Sequence, residues 1–170
     1  MSATNVTLDT NVLHELWKDR PKRAVVERLL ALAKEKGIDL AITARVREDI
    51  PDEPLASEIG TLPEIGVAGS GSVTRLCHWE LSRDQLGSDE FEVFRLQLES
   101  ARKERDPNLP DWRDWDHLHA HMLQGRTVFL TWDGPILRLS QVLQDRFGIR
   151  VQRPVDLLAE IDTDATQDRS

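Results

Sequence analysis

Four carboxylates stand where an apolar segment gives way to polar residues or a helix turns toward a strand. They are Asp9 in "VTLDTNVL", Glu48 in "ITARVREDI", Asp116 in "DWDHLHAHML" and Asp133 in "VFLTWD". Oxygen-rich, thiol-free sets of this kind suit hard divalent cations such as Mg²⁺ or Mn²⁺, which also take water and phosphate as ligands. Gathering like charges is otherwise costly, because each raises the pKa of the others. Taken singly, each acid has an ordinary reading: Asp9 a turn residue, Glu48 a surface acid, Asp133 an Asp-Gly turn. Their joint placement is what points to chemistry.

The elements that must position them alternate. "VTLDTNVL" reads as a first strand ending at Asp9. Val25, Val26, Leu29, Leu30 and Ala33 recur at helical spacing from Lys22 to Lys36, with Pro21 ahead of the first turn and Gly37 as the stop. Ile38 to Thr43 forms a second strand, and the strand-helix-strand order implies a parallel crossover. Thr43 is expected to cap a short helix carrying Val46, Glu48 and Ile50, ended by Pro51. From Pro51 to about Glu80 the segment is irregular, with a short strand near Val73 to Leu76. Ser88 caps a helix with Phe91, Phe94, Leu98 and Ala101 on one face, running to about Arg105.

A helix from about Asp111 to Gln124 carries Trp115, Leu118 and Met122 and stops at Gly125, before the strand Thr127 to Thr131. Pro135 opens a helix with Ile136, Leu139, Leu143 and Phe147, stopped by Gly148. A brief strand, Ile149 to Val151, and a last helix, Val155 to Ile161, follow. The expectation is an α/β protein with a mostly parallel sheet covered on both faces. It forms one domain over residues 1–162, with an insertion around 51–110 and a polar tail at 163–170. In open parallel sheets ligands sit beyond the carboxyl ends of the strands, and that rule selects the four acids from the many others.

The chain has 170 residues, 39% hydrophobic and 31% charged, a composition in the ordinary soluble range. No apolar run approaches the roughly 18 residues that span a bilayer, and the start lacks a signal-peptide pattern, so the expected location is cytoplasmic, without a membrane partner. Cys77 is the only cysteine, which excludes an internal disulfide and a cysteine zinc site within one chain; a buried thiol is its expected role. A net charge of -8 excludes a broad basic surface for nucleic acid. A local basic rim of Lys18, Arg20, Lys22, Arg23, Arg45 and Arg47 would have to serve instead.

At this point the sequence resembles the PIN-domain ribonucleases. "LDTNVL" is similar to that family's opening motif and "ITARVREDI" to its strand-then-helix segment ending in Glu. "DWDHLHAHML" resembles its Asp-bearing helix, "VFLTWD" its Thr-x-Asp strand end, and "GIRVQRPVDLLAEI" its closing strand, Pro and helix. The five segments occur in the family's order from one end of the chain to the other. The resemblance implies a three-layer α/β/α sandwich and hydrolysis of RNA phosphodiester bonds with Mg²⁺ or Mn²⁺. Asp9, Glu48, Asp116 and Asp133 would be the metal ligands and catalytic acids, with Asn11 and Thr131 in supporting positions. VapC-type toxins held by an antitoxin are among its members, and members often form dimers, so an antitoxin protein and a homodimer join RNA as expected partners. The alternative is a non-catalytic PIN-like module that binds RNA or protein.

Other signals read as structural. His117 and His121 share a helix face at the i, i+4 spacing of some zinc sites, but the Glu base is missing between them. The three histidines 117, 119 and 121 are expected at the helix surface or a substrate edge, with His119 as the one that could face the sheet. The glycines of "GVAGSGS" lack the Lys-Ser/Thr ending of a phosphate loop and read as a flexible loop. Trp112, Trp115 and Trp132 read as core or partner contacts rather than base-stacking platforms.

Overall fold

The computed structural model describes residues 4–16, 20–50, 59–66, 68–69, 85–86, 89–103 and 112–167. The chain starts with β1 (Asn5–Leu8), the single-turn helix α1 (Thr10–Leu13) and a 3-10 turn, His14–Leu16. The long helix α2 (Arg23–Lys36), β2 (Asp39–Thr43) and the short α3 (Val46–Asp49) follow. After β3 (Glu64–Ile65) come β4 (Ala68–Gly69) and β5 (Gln85–Leu86), then α4 (Asp89–Lys103) and α5 (Trp112–Leu123). The C-terminal part supplies β6 (Val128–Leu130), α6 (Gly134–Arg138), α7 (Ser140–Phe147), β7 (Arg150–Gln152) and α8 (Pro154–Gln167).

Five strands form the main sheet in the order β3-β2-β1-β6-β7, every pair parallel. The alternation expected from sequence thus closes into an α/β fold with helices on both faces. Side-chain period sorts the strands: Val6, Leu8, Leu40, Ile42, Val128 and Leu130 pack with Val12, Val26, Leu29 and Leu157 from α1, α2 and α8. Phe129 and Val151 point the other way, into a second core with Phe94, Leu98, Trp115, Leu118, Ile136 and Leu143 from α4 to α7. The result is a three-layer α/β/α sandwich. Gly37 and Gly148 end α2 and α7 in the left-handed region, at φ 68° in both, as helix stops require.

Several boundaries differ from the sequence reading for identifiable reasons. The segment expected to be irregular supplies β3, an edge strand paired to β2 through Ile42–Glu64 and Thr43–Ile65; two residues are too few to show a period. The helix opened by Pro135 is two helices, because Leu139 N–H bonds the Ile136 carbonyl three residues back and tightens the turn between them. The last helix continues past Ile161 to Gln167, with Asp162 ion-paired to Arg28 of α2 at 3.2 Å. The expected strand at Val73–Leu76, the Ser88 cap, Cys77 and most of the Gly-rich segment lie outside the described residues. No helix among the described residues is long and apolar enough to cross a membrane.

Phe129 has no exposed surface and meets His121 edge-on at 5.6 Å. Phe129→Ala is expected to lower unfolding free energy by about 3–5 kcal/mol. Urea denaturation measures this, and a loss below about 1 kcal/mol would show that this face of the sheet is not close-packed.

Candidate functional site

The carboxyl end of β1 is where the sheet order turns: the chain adds β2 and β3 on one side of β1 and later β6 and β7 on the other. Asp9 N–H continues the parallel ladder onto the Leu130 carbonyl at 3.0 Å. With Leu8 opposite Ile42 and Leu130, Asp9 falls one step on, between Thr43 and Thr131 and on the same face as Thr7. Strand period therefore aims its side chain toward α5 rather than toward α2.

Asp9 is only 3% exposed. Its Oδ2 accepts hydrogen bonds from Asn11 Nδ2 at 2.7 Å and from Thr131 Oγ1 at 2.5 Å. Thr131 Oγ1 in turn accepts the Asp133 backbone N–H at 2.9 Å, and Asn11 Oδ1 accepts that of Trp132 at 2.9 Å. Asn11 and Thr131 thereby tie the turn after β1 to the turn after β6. Burial pushes the Asp9 carboxyl above the usual carboxylate range and the neighbouring Asp133 charge adds to this, while the His117 charge and the Thr131 hydroxyl oppose it.

Asp133 is half-buried and caps α6, its Oδ1 accepting the Ile136 N–H at 2.8 Å. Asp133 is thus a helix cap, and its charge is felt at Asp9. Asp116 is buried in α5 with Oδ2 at 4.0 Å from Arg45 Nη2, each side chain 3% exposed. Glu48 belongs to the backbone of α3; its side chain lies outside the described residues.

The structure adds groups that sequence reading passed over. Asp49 Oδ2 accepts from Thr10 Oγ1 at 3.0 Å and lies 3.4 Å from His117 Nε2. Burial of Asp49 opposes its ionisation, but the bonds from His117 and Thr10 and the charges of His117 and Arg45 prevail and hold it below the usual carboxylate range. His117 is the mirror case: burial disfavours its charge, yet the Asp49 bond and the charges of Asp9, Asp49 and Asp114 hold its pKa above the ordinary value. As an imidazolium both ring nitrogens donate, Nδ1 to the Thr43 hydroxyl at 2.5 Å. Thr43 therefore serves His117 and is not the cap of α3, whose N-cap, Arg45, is helical and makes no side-chain cap bond.

The histidines also depart from the surface placement expected for them. His117, His119 and His121 are all buried. His117 and His121 face the sheet, the latter with Nδ1 at 2.8 Å from Thr7 Oγ1, and His119 packs on Phe94 of α4. Polar threonines on otherwise apolar central strands were the signal for these pairings.

The basic rim loses Arg45 to the interior. Lys22 lies over the Trp132 ring at 4.1 Å, Arg23 pairs with Glu27 at 2.7 Å, and Arg20 is exposed; Lys18 and the Arg47 side chain lie outside the described residues. Trp115 is core, as expected.

Burial lowers the pKa of His119 to about 4 and, with the Arg126 charge, that of His121 to about 3. The unfolded chain binds protons at both below pH about 6.5, where the folded chain does not. Stability at these groups is thus complete above that pH and falls as the pH drops toward 4, by up to about 1.4 kcal/mol per unit for each. His119→Gln is expected to flatten the pH dependence of the urea midpoint between pH about 6 and 4.5. An unaltered slope would show that His119 titrates normally in the folded state.

No protein-family model matches the sequence, and no curated protein matches it. Among solved structures, the chain is similar to the crystal structure of VapBC2 from Rickettsia felis bound to a DNA fragment from their promoter. That likeness has 12% identity and a TM-score of 0.45, covering 88% of this chain and 98% of the other.

Proposed function

We propose that this chain is a PIN-like ribonuclease that hydrolyses RNA phosphodiester bonds with a bound Mg²⁺ or Mn²⁺. The observation that carries this reading is the placement of Asp9 and Asp133 just beyond β1 and β6, the point where the strand order reverses, with the Asp133 charge felt at Asp9. An ionised Asp9 in that place is undercompensated by its surroundings, a condition that a cation relieves.

Among the described residues no three His, Cys, Asp or Glu side chains are grouped closely enough to hold a metal. The fit is therefore to a cation that keeps most of its waters, as Mg²⁺ does when one or two carboxylates and a substrate phosphate complete its shell. Asp9 and Asp133 would hold it, with Glu48 joining through the motif resemblance; Asp116 faces Arg45 and does not group with Asp9 and Asp133 in this structure. Bound there, such a cation activates a water and offsets charge on the leaving oxygen. The chain's own residues prepare the site: Asn11 and Thr131 direct Asp9 by bonding Oδ2, and the α6 cap fixes Asp133. A toxin role, an antitoxin partner and a homodimer extend the same motif resemblance and belong to this proposal.

One observation favours the second reading, a binding module without catalysis. Arg45 lies within 4.0 Å of Asp116 and neutralises one of the acids from inside the protein. A nuclease assay with Mn²⁺ separates the two. Asp9→Asn is expected to reduce metal-dependent RNA cleavage by at least about 100-fold while circular dichroism stays unchanged. Mn²⁺ at about 100 times its Kd is expected to stabilise the wild type by about 2.7 kcal/mol. Cleavage that survives both EDTA and Asp9→Asn would overturn the metal-dependent reading.

A further inference from the structure

Thr10, Asp49 and His117 each follow one of the candidate acids by a single residue: Asp9, Glu48 and Asp116. They come from three different elements, the start of α1, the end of α3 and the first half of α5. All three meet at one atom, because Thr10 Oγ1 donates to Asp49 Oδ2 at 3.0 Å and His117 Nε2 lies 3.4 Å from the same oxygen. His117 continues the chain of contacts to Thr43 Oγ1 at the end of β2.

Val12 and Leu13 anchor α1 in the core and Val46 anchors α3, and the Asp49 oxygen adds a directional polar tie between them. α1 and α3 are four residues each, and neither has a side-chain bond at its N-cap. Helices that short do not hold their shape without tertiary contacts. Successive helical side chains diverge by about 100°, so a neighbour of an acid does not share its direction; anchoring the neighbour instead sets the local backbone from which the acid projects. Asp49 is suited to the task, 20% exposed and close to Arg45 as well as to His117.

We propose that Asp49 is a positioning residue for the acidic site, tying Thr10 and His117 to one carboxylate oxygen and so setting the relative placement of the segments that carry Asp9, Glu48 and Asp116. This rests on the metal-dependent reading of the acidic site. Loss of an outer partner of a metal site typically lowers metal affinity or activity about 10- to 100-fold, which sets the size of effect to look for.

Mn²⁺ binding by electron paramagnetic resonance, and RNA cleavage across Mn²⁺ concentrations, test the proposal on the full chain. Asp49→Asn and Thr10→Val are each expected to weaken apparent Mn²⁺ affinity by about 10- to 100-fold, with KM for RNA within about twofold. Thr10→Ser, which restores the hydroxyl, is expected to return Mn²⁺ affinity to the wild-type value. Unchanged Mn²⁺ affinity in Asp49→Asn and Thr10→Val, with or without a lower Tm, would reduce the node to a structural contact and overturn the proposal. So would a Thr10→Ser variant as weak as Thr10→Val. If Asp49→Asn does not fold, the Thr10 pair decides alone. A wild-type chain that neither binds Mn²⁺ nor cleaves RNA removes the nuclease reading and the proposal together, whereas an active wild type with an unaffected Asp49→Asn removes the proposal only.

Discussion

A carboxylate buried one step past the end of the central strand is the constraint around which this end of the molecule is arranged. An ion taken out of water needs hydrogen bonds and opposite charge to be tolerated. Asp9 has both: two side-chain donors, Asn11 and Thr131, and the His117 charge. Each comes from a different part of the chain, so satisfying one acid brings together the turns after β1 and β6 and the inner face of α5. The cost not offset by these contacts raises the pKa of Asp9 above the usual carboxylate range.

The same face of the sheet carries a second pattern with its own logic. A parallel sheet covered on both sides is ordinarily apolar throughout, yet Thr7, Thr43 and Thr131 are fully buried on the α5 side. Two of them meet imidazoles one helical turn apart on α5, Thr43 with His117 and Thr7 with His121. Apolar contact alone tolerates sliding and rotation, whereas a hydroxyl-imidazole pair is satisfied in a single register. The two pairs therefore specify how α5 lies across β1 and β2, and α5 is the helix that brings Asp116 and His117 to the strand ends. His117 and Arg45 each lie against an acid, His117 Nε2 at 3.4 Å from Asp49 and Arg45 Nη2 at 4.0 Å from Asp116.

Long-period features were readable in the sequence. The apolar spacing of α2 and the Gly37 stop, the Thr-x-Asp end of β6, and the strand-helix alternation follow from local propensity and periodicity, which act over a few residues. What escaped that reading depends on distant partners. Glu48 and Asp49 are adjacent acids, and nothing local says which would meet Thr10 and His117. Thr43 resembles a helix cap from its neighbours but is claimed by an imidazole 74 residues away. The burial of His117 and His121 escaped the sequence because an imidazole on a helix reads as polar until a threonine across the interface satisfies it. β3 is two residues long and exists only because β2 offers it an edge.

The strand order also bears on when the surroundings of Asp9 are completed during synthesis. Asp9 and Thr131 are separated by 122 positions, so β6 closes the sheet against β1 only after the residues between them have been made. At about 5–20 residues per second, roughly ten seconds pass between the appearance of the first acid and that of the hydroxyl that orients it. Until then the ribosome carries a chain that has β1 and β2 but lacks the far wall of the crevice.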